Sequence, residues 1–218
     1  MHIEYSYYDI SSNEAETKDN ILKATKYPVS AISVLPPSIR AVKGLLPETI
    51  KLSSAIDYPL GIMDIKSRTD SIGLAIRNGA KIIELVSPVH LLCNRKYDKF
   101  RDDIKINQDL CLEHSVELRY IVEYRLYSYE LLYKVSQILL DMGISTIYPS
   151  TGFMLDDISD NILASALINK KIPNIHIICN GNFWNNQHAE LIKRAKLYGL
   201  KVNSLNALDI ISKNILKS

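Results

Sequence analysis

The residues best suited to chemistry in this 218-residue chain stand at the ends of short apolar runs. The clearest case is Ser145-Thr146-Ile147-Tyr148-Pro149-Ser150-Thr151-Gly152-Phe153, a buried-strand pattern that ends in a small-residue turn. Glycine after Ser-Thr lets backbone N–H groups approach a ligand closely. Other chemistries find little support. Cys93, Cys111 and Cys179 are odd in number and form no C-x-x-C pair, so neither a zinc knuckle nor a disulfide framework is expected. His2, His90, His114, His176 and His188 show no H-x-x-x-H spacing, and no metal is expected, although Glu84 with His90 is a conceivable ligand pair. No dinucleotide or P-loop glycine pattern appears, and no cofactor is called for.

The elements that must position these residues alternate along the whole chain. Apolar runs at 3–7, 29–35, 50–56, 82–86, 116–124, 145–153, 175–179 and 202–205 read as strands. Amphipathic stretches between them read as helices. Ser11 to Glu14 looks like a capping box, and Pro36-Pro37 opens a helix. Gly79, Gly143 and Gly199 fit helix ends. Eight such units without a linker predict a single α/β domain over 1–218, a (β/α)8 TIM barrel; the alternative is an open doubly wound sheet.

Composition narrows the partners. Hydrophobic residues make up 47% and charged residues 23%, with a formal net charge of +2 and mixed signs along the chain. That gives no basic stripe for nucleic acid and no polybasic membrane anchor. No signal peptide or membrane-spanning run is visible, and a reducing cytoplasmic setting is expected.

Several motifs, in order, resemble those of the deoxyribose-phosphate aldolases. The 145–153 stretch is similar to the family's Lys-Thr-Ser-Thr-Gly-Phe signature. Ala31 to Pro36, Ala55 to Gly61, Ala75 to Glu84 and Leu118 to Glu123 are similar to its second-strand, Phe-Pro-x-Gly, Ala-Ile-x-x-Gly-Ala and Leu-Lys-Val-Ile-x-Glu segments. The resemblance implies an aldolase-like barrel with its site at the C-terminal ends of the strands. It also implies altered chemistry. The family's Schiff-base lysine falls on Tyr148, its second lysine on about Ile178, its fifth-strand lysine on Arg119 and its proton-transfer aspartate on Glu84. No lysine falls on a mouth-facing position of the strands so placed, so a Schiff-base aldolase is not expected. The phosphate loop is changed as well, to Gly181-Asn182 with Trp184 in place of an arginine.

The family's inward positions, with strand alternation, imply the mouth set: Glu4, Ser6, Ser33, Asp57, Glu84, Arg119, Glu123, Tyr148, Ser150, Asn180 and Asn206. Glu84, Tyr148, Arg119 and Glu123 are the catalytic candidates. Glu84 is the preferred base, with Arg119 as oxyanion stabiliser and Glu84–Arg119 as an expected pair. Thr151, Gly152, Gly181 and Asn182 join the remaining residues as substrate-binding candidates. Bland readings stand beside these: a core salt bridge, an aromatic plug at Tyr148, a self-satisfied turn at 150–152, and a packing role for Trp184. His176 is expected to face inward low in the barrel, and Cys179 to lie in the outer core. Two functions follow: a lyase or isomerase moving a proton on a small carbonyl or sugar(-phosphate)-like substrate, or an inactive barrel that binds a ligand or partner. A homodimer is possible for such a barrel.

Overall fold

The structure is a computed structural model and describes residues 1–153, 157–183, 186–195 and 197–214. Eight strands form its centre: β1 (His2–Tyr7), β2 (Ala31–Val34), β3 (Lys51–Ile56), β4 (Ile82–Val86), β5 (Glu117–Ile121), β6 (Thr146–Tyr148), β7 (His176–Asn180) and β8 (Gly199–Val202). They pair in parallel, in sequence order, and β8 closes on β1, so the architecture is the (β/α)8 barrel and not an open sheet. Around it run α1 (Glu14–Ala24), α2 (Ile39–Val42), α3 (Ile65–Asn78), α4 (Val89–Cys93), α5 (Tyr97–Glu113), α6 (Tyr129–Asp141), α7 (Ile158–Lys171), α8 (Asn186–Ala195) and α9 (Leu205–Asn214).

Alternation along each strand divides the chemistry. Outward residues such as Ile32, Ile83, Leu85, Tyr120, Ile147, Ile177, Cys179 and Leu200 pack under the helices in one continuous core. Burying each large aliphatic side chain there contributes about 1.5–3 kcal/mol. Cys179 thus lies where strand alternation places it. Local signals end the helices as their chemistry requires. Ser128 accepts from Leu131 N to cap α6, whose Leu132, Val135, Ile138 and Leu139 form the buried face. Asp64 caps α3, and Gly79 ends it at φ 119°.

Three local expectations are corrected. The capping box of α1 is Asn13 with Glu16, not Ser11 with Glu14, because Asp9 already binds the Ser11 and Ser12 hydroxyls. His176 is exposed at the base of β7 and stacks on Tyr198 at 4.0 Å. The last strand starts at Gly199, three residues earlier than its apolar content suggests. Gly199 is no helix cap: its φ is not positive, and a Cβ there would meet Ile178 Cγ1 at 3.1 Å and His2 O at 3.2 Å across the barrel wall.

Gly61 anchors the loop after β3. Its φ is 64°, and a Cβ would lie 2.2 Å from Ser87 O. Gly61→Ala is therefore expected to destabilise the barrel by about 2–3 kcal/mol, through both strain and overpacking. A urea unfolding midpoint that hardly moved would show that the loop can step aside.

Candidate functional site

The inward faces of the strands carry an ionic network in place of a purely apolar filling. Glu4, Ser33, Ser53, Glu84, Arg119, Tyr148 and Lys201 all point into it, and each is at most 5% exposed. Two charge pairs cross the barrel. Arg119 Nη1 reaches Glu4 Oε1 on β1 at 2.5 Å, while its Nε holds Glu117 at 2.7 Å. Lys201 Nζ on β8 contacts Glu84 Oε2 on β4 and donates to the Tyr8 hydroxyl at 3.0 Å. Tyr148 joins the two pairs. It accepts from Arg119 at 2.9 Å and lies 2.8 Å from Glu4 and 3.2 Å from Glu84. Glu84 also accepts from Ser53 at 2.6 Å and Tyr8 at 3.0 Å. A buried charge is costly unless it is paired and hydrogen-bonded, and here the pairing is dense.

This arrangement corrects two expectations. Glu84 and Arg119 are register neighbours on β4 and β5, yet they do not pair with each other. Both reach across the barrel instead, to Lys201 and Glu4. The barrel interior also does contain a lysine. Lys201 escaped notice because the strand that carries it was placed too late in the sequence, leaving Lys201 in the turn before it.

The network sets its members' protonation. Burial pushes the Glu4 carboxyl up, but the His2 hydrogen bond and the charges of Arg119 and Lys201 outweigh it and hold the group at about 2. Removal from water, reinforced by the Glu84 carboxylate, pushes the Tyr8 hydroxyl well above its ordinary range. Burial with Glu4 and Glu84 does the same for Tyr148. Both phenols are therefore neutral donors, and Tyr148 links the carboxylates instead of ionising.

Above the network, at the C-terminal ends of the strands, lies a cavity of about 330 Å³. Ser6, Tyr8, Tyr58, Thr151, Gly152, Asn180, Gly181, Lys201 and Asn203 line it, with Tyr7 and Asp9 at its edge. Tyr8 and Tyr58 lean together at 4.8 Å, and Phe153 meets Tyr58 edge-on at 6.4 Å. Inside the barrel, Val86, Ile121, Tyr148 and Ile178 form a small apolar cluster against Tyr58.

The expected site residues are distributed unevenly. Ser6, Thr151, Gly152, Asn180 and Gly181 line the cavity, as their strand-end positions predict. Glu4, Glu84, Arg119 and Tyr148 lie in the network beneath it, and of these residues' neighbours Lys201 and Tyr8 reach the cavity. Ser33 bonds the Tyr8 hydroxyl at 2.7 Å. Glu123, at φ 52°, accepts from Thr151 N and Oγ1 and so braces the turn after β6. Ser150 accepts from Gly152 N at 2.9 Å, and its carbonyl accepts from Asn180 Nδ2. Asp57 is turned away from the cavity: it binds Arg68 at 2.6 Å and the backbone N–H groups of Ile62 and Met63, holding the loop that carries Tyr58. Asn182 accepts from Asn203 at 3.2 Å. Asn206 is exposed on α9, and Asn203 takes the place expected for it. Trp184 lies outside the described residues. Sequence reasoning missed Tyr8, Tyr58, Lys201 and Asn203. The one local signal for Lys201 was its two-residue spacing from Gly199, which has the strand period.

No family model matches the chain. A deoxyribose-phosphate aldolase of Bdellovibrio bacteriovorus is 26% identical over 153 residues, spanning 70% of this chain and 69% of that protein. One from Mycoplasmopsis pulmonis is 29% identical over 153 residues, spanning 68% and 69%. Among solved structures, "QR15, an Aldolase" superposes with a TM-score of 0.86 at 20% identity, covering 99% of this chain and 95% of that one. The deoxyribose phosphate aldolase of Aeropyrum pernix, described as a unique tetramer, superposes at 0.84 with 16% identity, covering 100% and 90%. The motifs read along the sequence, the closed barrel and these similarities agree: this chain is a relative of the deoxyribose-phosphate aldolases.

Proposed function

We propose that this chain is an enzyme of lyase or isomerase type that moves a proton beside the carbonyl of a small substrate, without forming a Schiff base. The observation that carries the reading is Lys201, which lines the cavity while its Nζ is paired with Glu84 and bonded to Tyr8. An amine engaged by a carboxylate in this way is suited to act as an ammonium, whereas covalent catalysis needs a neutral amine. In this reading Lys201 stabilises the developing enolate oxygen, the role first expected of Arg119. Glu84 is the base. It acts through the Tyr8 hydroxyl, which takes the substrate proton as it passes its own to the carboxylate. Arg119, Glu4 and Tyr148 position this pair from below, and Glu123 holds the 150–152 turn.

One observation favours a second reading. Lys201 is an amine at the cavity wall of an aldolase relative, so it could itself be the nucleophile, shifted from β6 to β8. Borohydride reduction in the presence of small aldehydes and ketones separates the two. No adduct is expected; an adduct on Lys201, located by peptide mass, would replace the first reading with the second. Solvent-deuterium exchange beside the carbonyl of the same compounds tests for activity. Exchange is expected in the native protein and should fall about 100-fold or more in Glu84→Gln. Exchange at full rate in that variant would remove Glu84 from the mechanism. No exchange with any compound would favour the inactive, ligand-binding barrel.

We further place the protein in the cytoplasm, with a homodimer as a possible assembly. Among the described residues no helix is long and apolar enough to cross a membrane.

A further inference from the structure

We infer that the cavity selects an unphosphorylated, hydroxyl-bearing carbonyl compound and discriminates against its phosphate esters. The inference rests on the reading of Lys201 as the group that meets the carbonyl, and it adds the chemistry of the substrate's other end.

Three independent observations carry it. The first is charge. Past the ends of β1, β3, β6, β7 and β8, the described residues that line the cavity are Tyr8, Asp9, Tyr58, Thr151, Gly152, Gly181 and Asn203. None of these is a lysine or arginine, and Asp9 adds a carboxylate. Lys201 is the only lysine or arginine among the described lining residues, and Glu84 already balances it. At the rim, hydrogen bonds from Ser11 and Ser12 hold the Asp9 carboxyl below its ordinary range, so it is anionic at neutral pH. A phosphate dianion entering here meets the Asp9 carboxylate, and the one cation of the described lining is already paired with Glu84.

The second observation concerns donors. Oxyanions in barrels are often held by backbone N–H groups of turns and helix N-termini. Here the turn after β6 has used its own. Thr151 N donates to Glu123, Gly152 N to Ser150 Oγ, and Phe153 N to Thr151 Oγ1. At the start of α9, Ala207 N donates to Ser204 Oγ. These four N–H groups are thus occupied by the protein's own oxygens and are withdrawn from a phosphate.

The third observation concerns acceptors. Asn180 is 8% exposed and lines the cavity. Its Nδ2 donates to Ser150 O at 2.5 Å, which fixes the amide's orientation. Its Oδ1 is buried without a hydrogen-bond partner. A buried acceptor of this kind costs stability until a donor reaches it. A substrate hydroxyl supplies that donor; a phosphate dianion does not. The lining therefore matches a ligand whose carbonyl oxygen faces Lys201 and Tyr8 and whose hydroxyls face Asn180 and Asp9.

The test compares D-glyceraldehyde with its 3-phosphate, and 2-deoxyribose with its 5-phosphate, by calorimetric titration of the full chain, with inorganic phosphate as competitor. Each unphosphorylated compound is expected to bind at least about tenfold more tightly than its ester, which corresponds to about 1.4 kcal/mol. Inorganic phosphate should not compete. Asp9→Asn should narrow the gap by strengthening ester binding alone. Equal or tighter binding of the esters, competition by phosphate, or no binding of either unphosphorylated compound would overturn the inference. The outcome is separable from the catalytic reading, since ligand preference is measured without turnover, and Glu84→Gln tests turnover without changing the charge of the rim.

Discussion

Lys201→Met should lower the stability of the barrel by about 3–5 kcal/mol and abolish proton exchange on carbonyl compounds. The first effect follows from Glu84, which is 0% exposed. Without Lys201 its carboxylate keeps only hydroxyl partners: Ser53, Tyr8 and Tyr148. Removing one member of a buried pair leaves an uncompensated charge and costs that much. Replacing both members should cost far less. Lys201→Met combined with Glu84→Gln should recover most of the loss, with a coupling energy of about 2 kcal/mol or more in a double-mutant cycle. Additive losses would mean that the pair contributes nothing specific. The second effect follows from the cavity. Lys201 is the charged network residue that touches it, so its removal should cost about 100-fold or more in rate. Lys201→Arg separates the catalytic readings, because it keeps a cation but no nucleophilic amine. Partial activity in Lys201→Arg supports the ammonium role, and adduct formation by the native protein alone supports the covalent one.

Arg119→Met should have the next largest effect, and pH should reveal it. Arg119 holds Glu4 and Glu117 together from the middle of the barrel. The folded Glu4 carboxyl lies at about 2, below its ordinary value of 4.5. A depressed carboxyl contributes stability that is fully present above the unfolded value and is lost as pH falls through the folded one. The native barrel should therefore lose stability between pH 4.5 and about 2, by an amount on the order of 3 kcal/mol from this group. Arg119→Met removes one of the charges that hold Glu4 down. Its acid unfolding, followed by circular dichroism, should begin at higher pH, with a loss of about 3–5 kcal/mol at pH 7. An unchanged acid midpoint would show that His2 and Lys201 suffice to hold Glu4.

The barrel was legible because its signals are local. Runs such as Ile82–Val86 and residues 175–179 each carry one polar residue among five, as parallel strands covered by helices should. Gly79 and Gly143, both at positive φ, mark helix ends by chemistry that needs no distant partner. Ser6, Thr151, Gly152, Asn180 and Gly181 come from the resemblance to the aldolases, and they stand at strand ends, where a barrel's mouth is built.

Pairing was not legible. Glu84 and Arg119 are side by side in register, and sequence reasoning joins such neighbours. Closing the barrel brings β1 and β8 within reach of β4 and β5, so each charge finds a partner more than 110 residues away in sequence. The amino-acid sequence alone pointed to an interior that carries carboxylates, an arginine and a tyrosine: Glu4, Glu84, Arg119 and Tyr148. Only closure of the sheet decided that Lys201 completes this interior and that Tyr8 folds over it. The physical reason is the short, weakly apolar strand Gly199–Val202. Its own residues barely specify it, and its register comes from β7 and β1 on either side, which turn Lys201 inward.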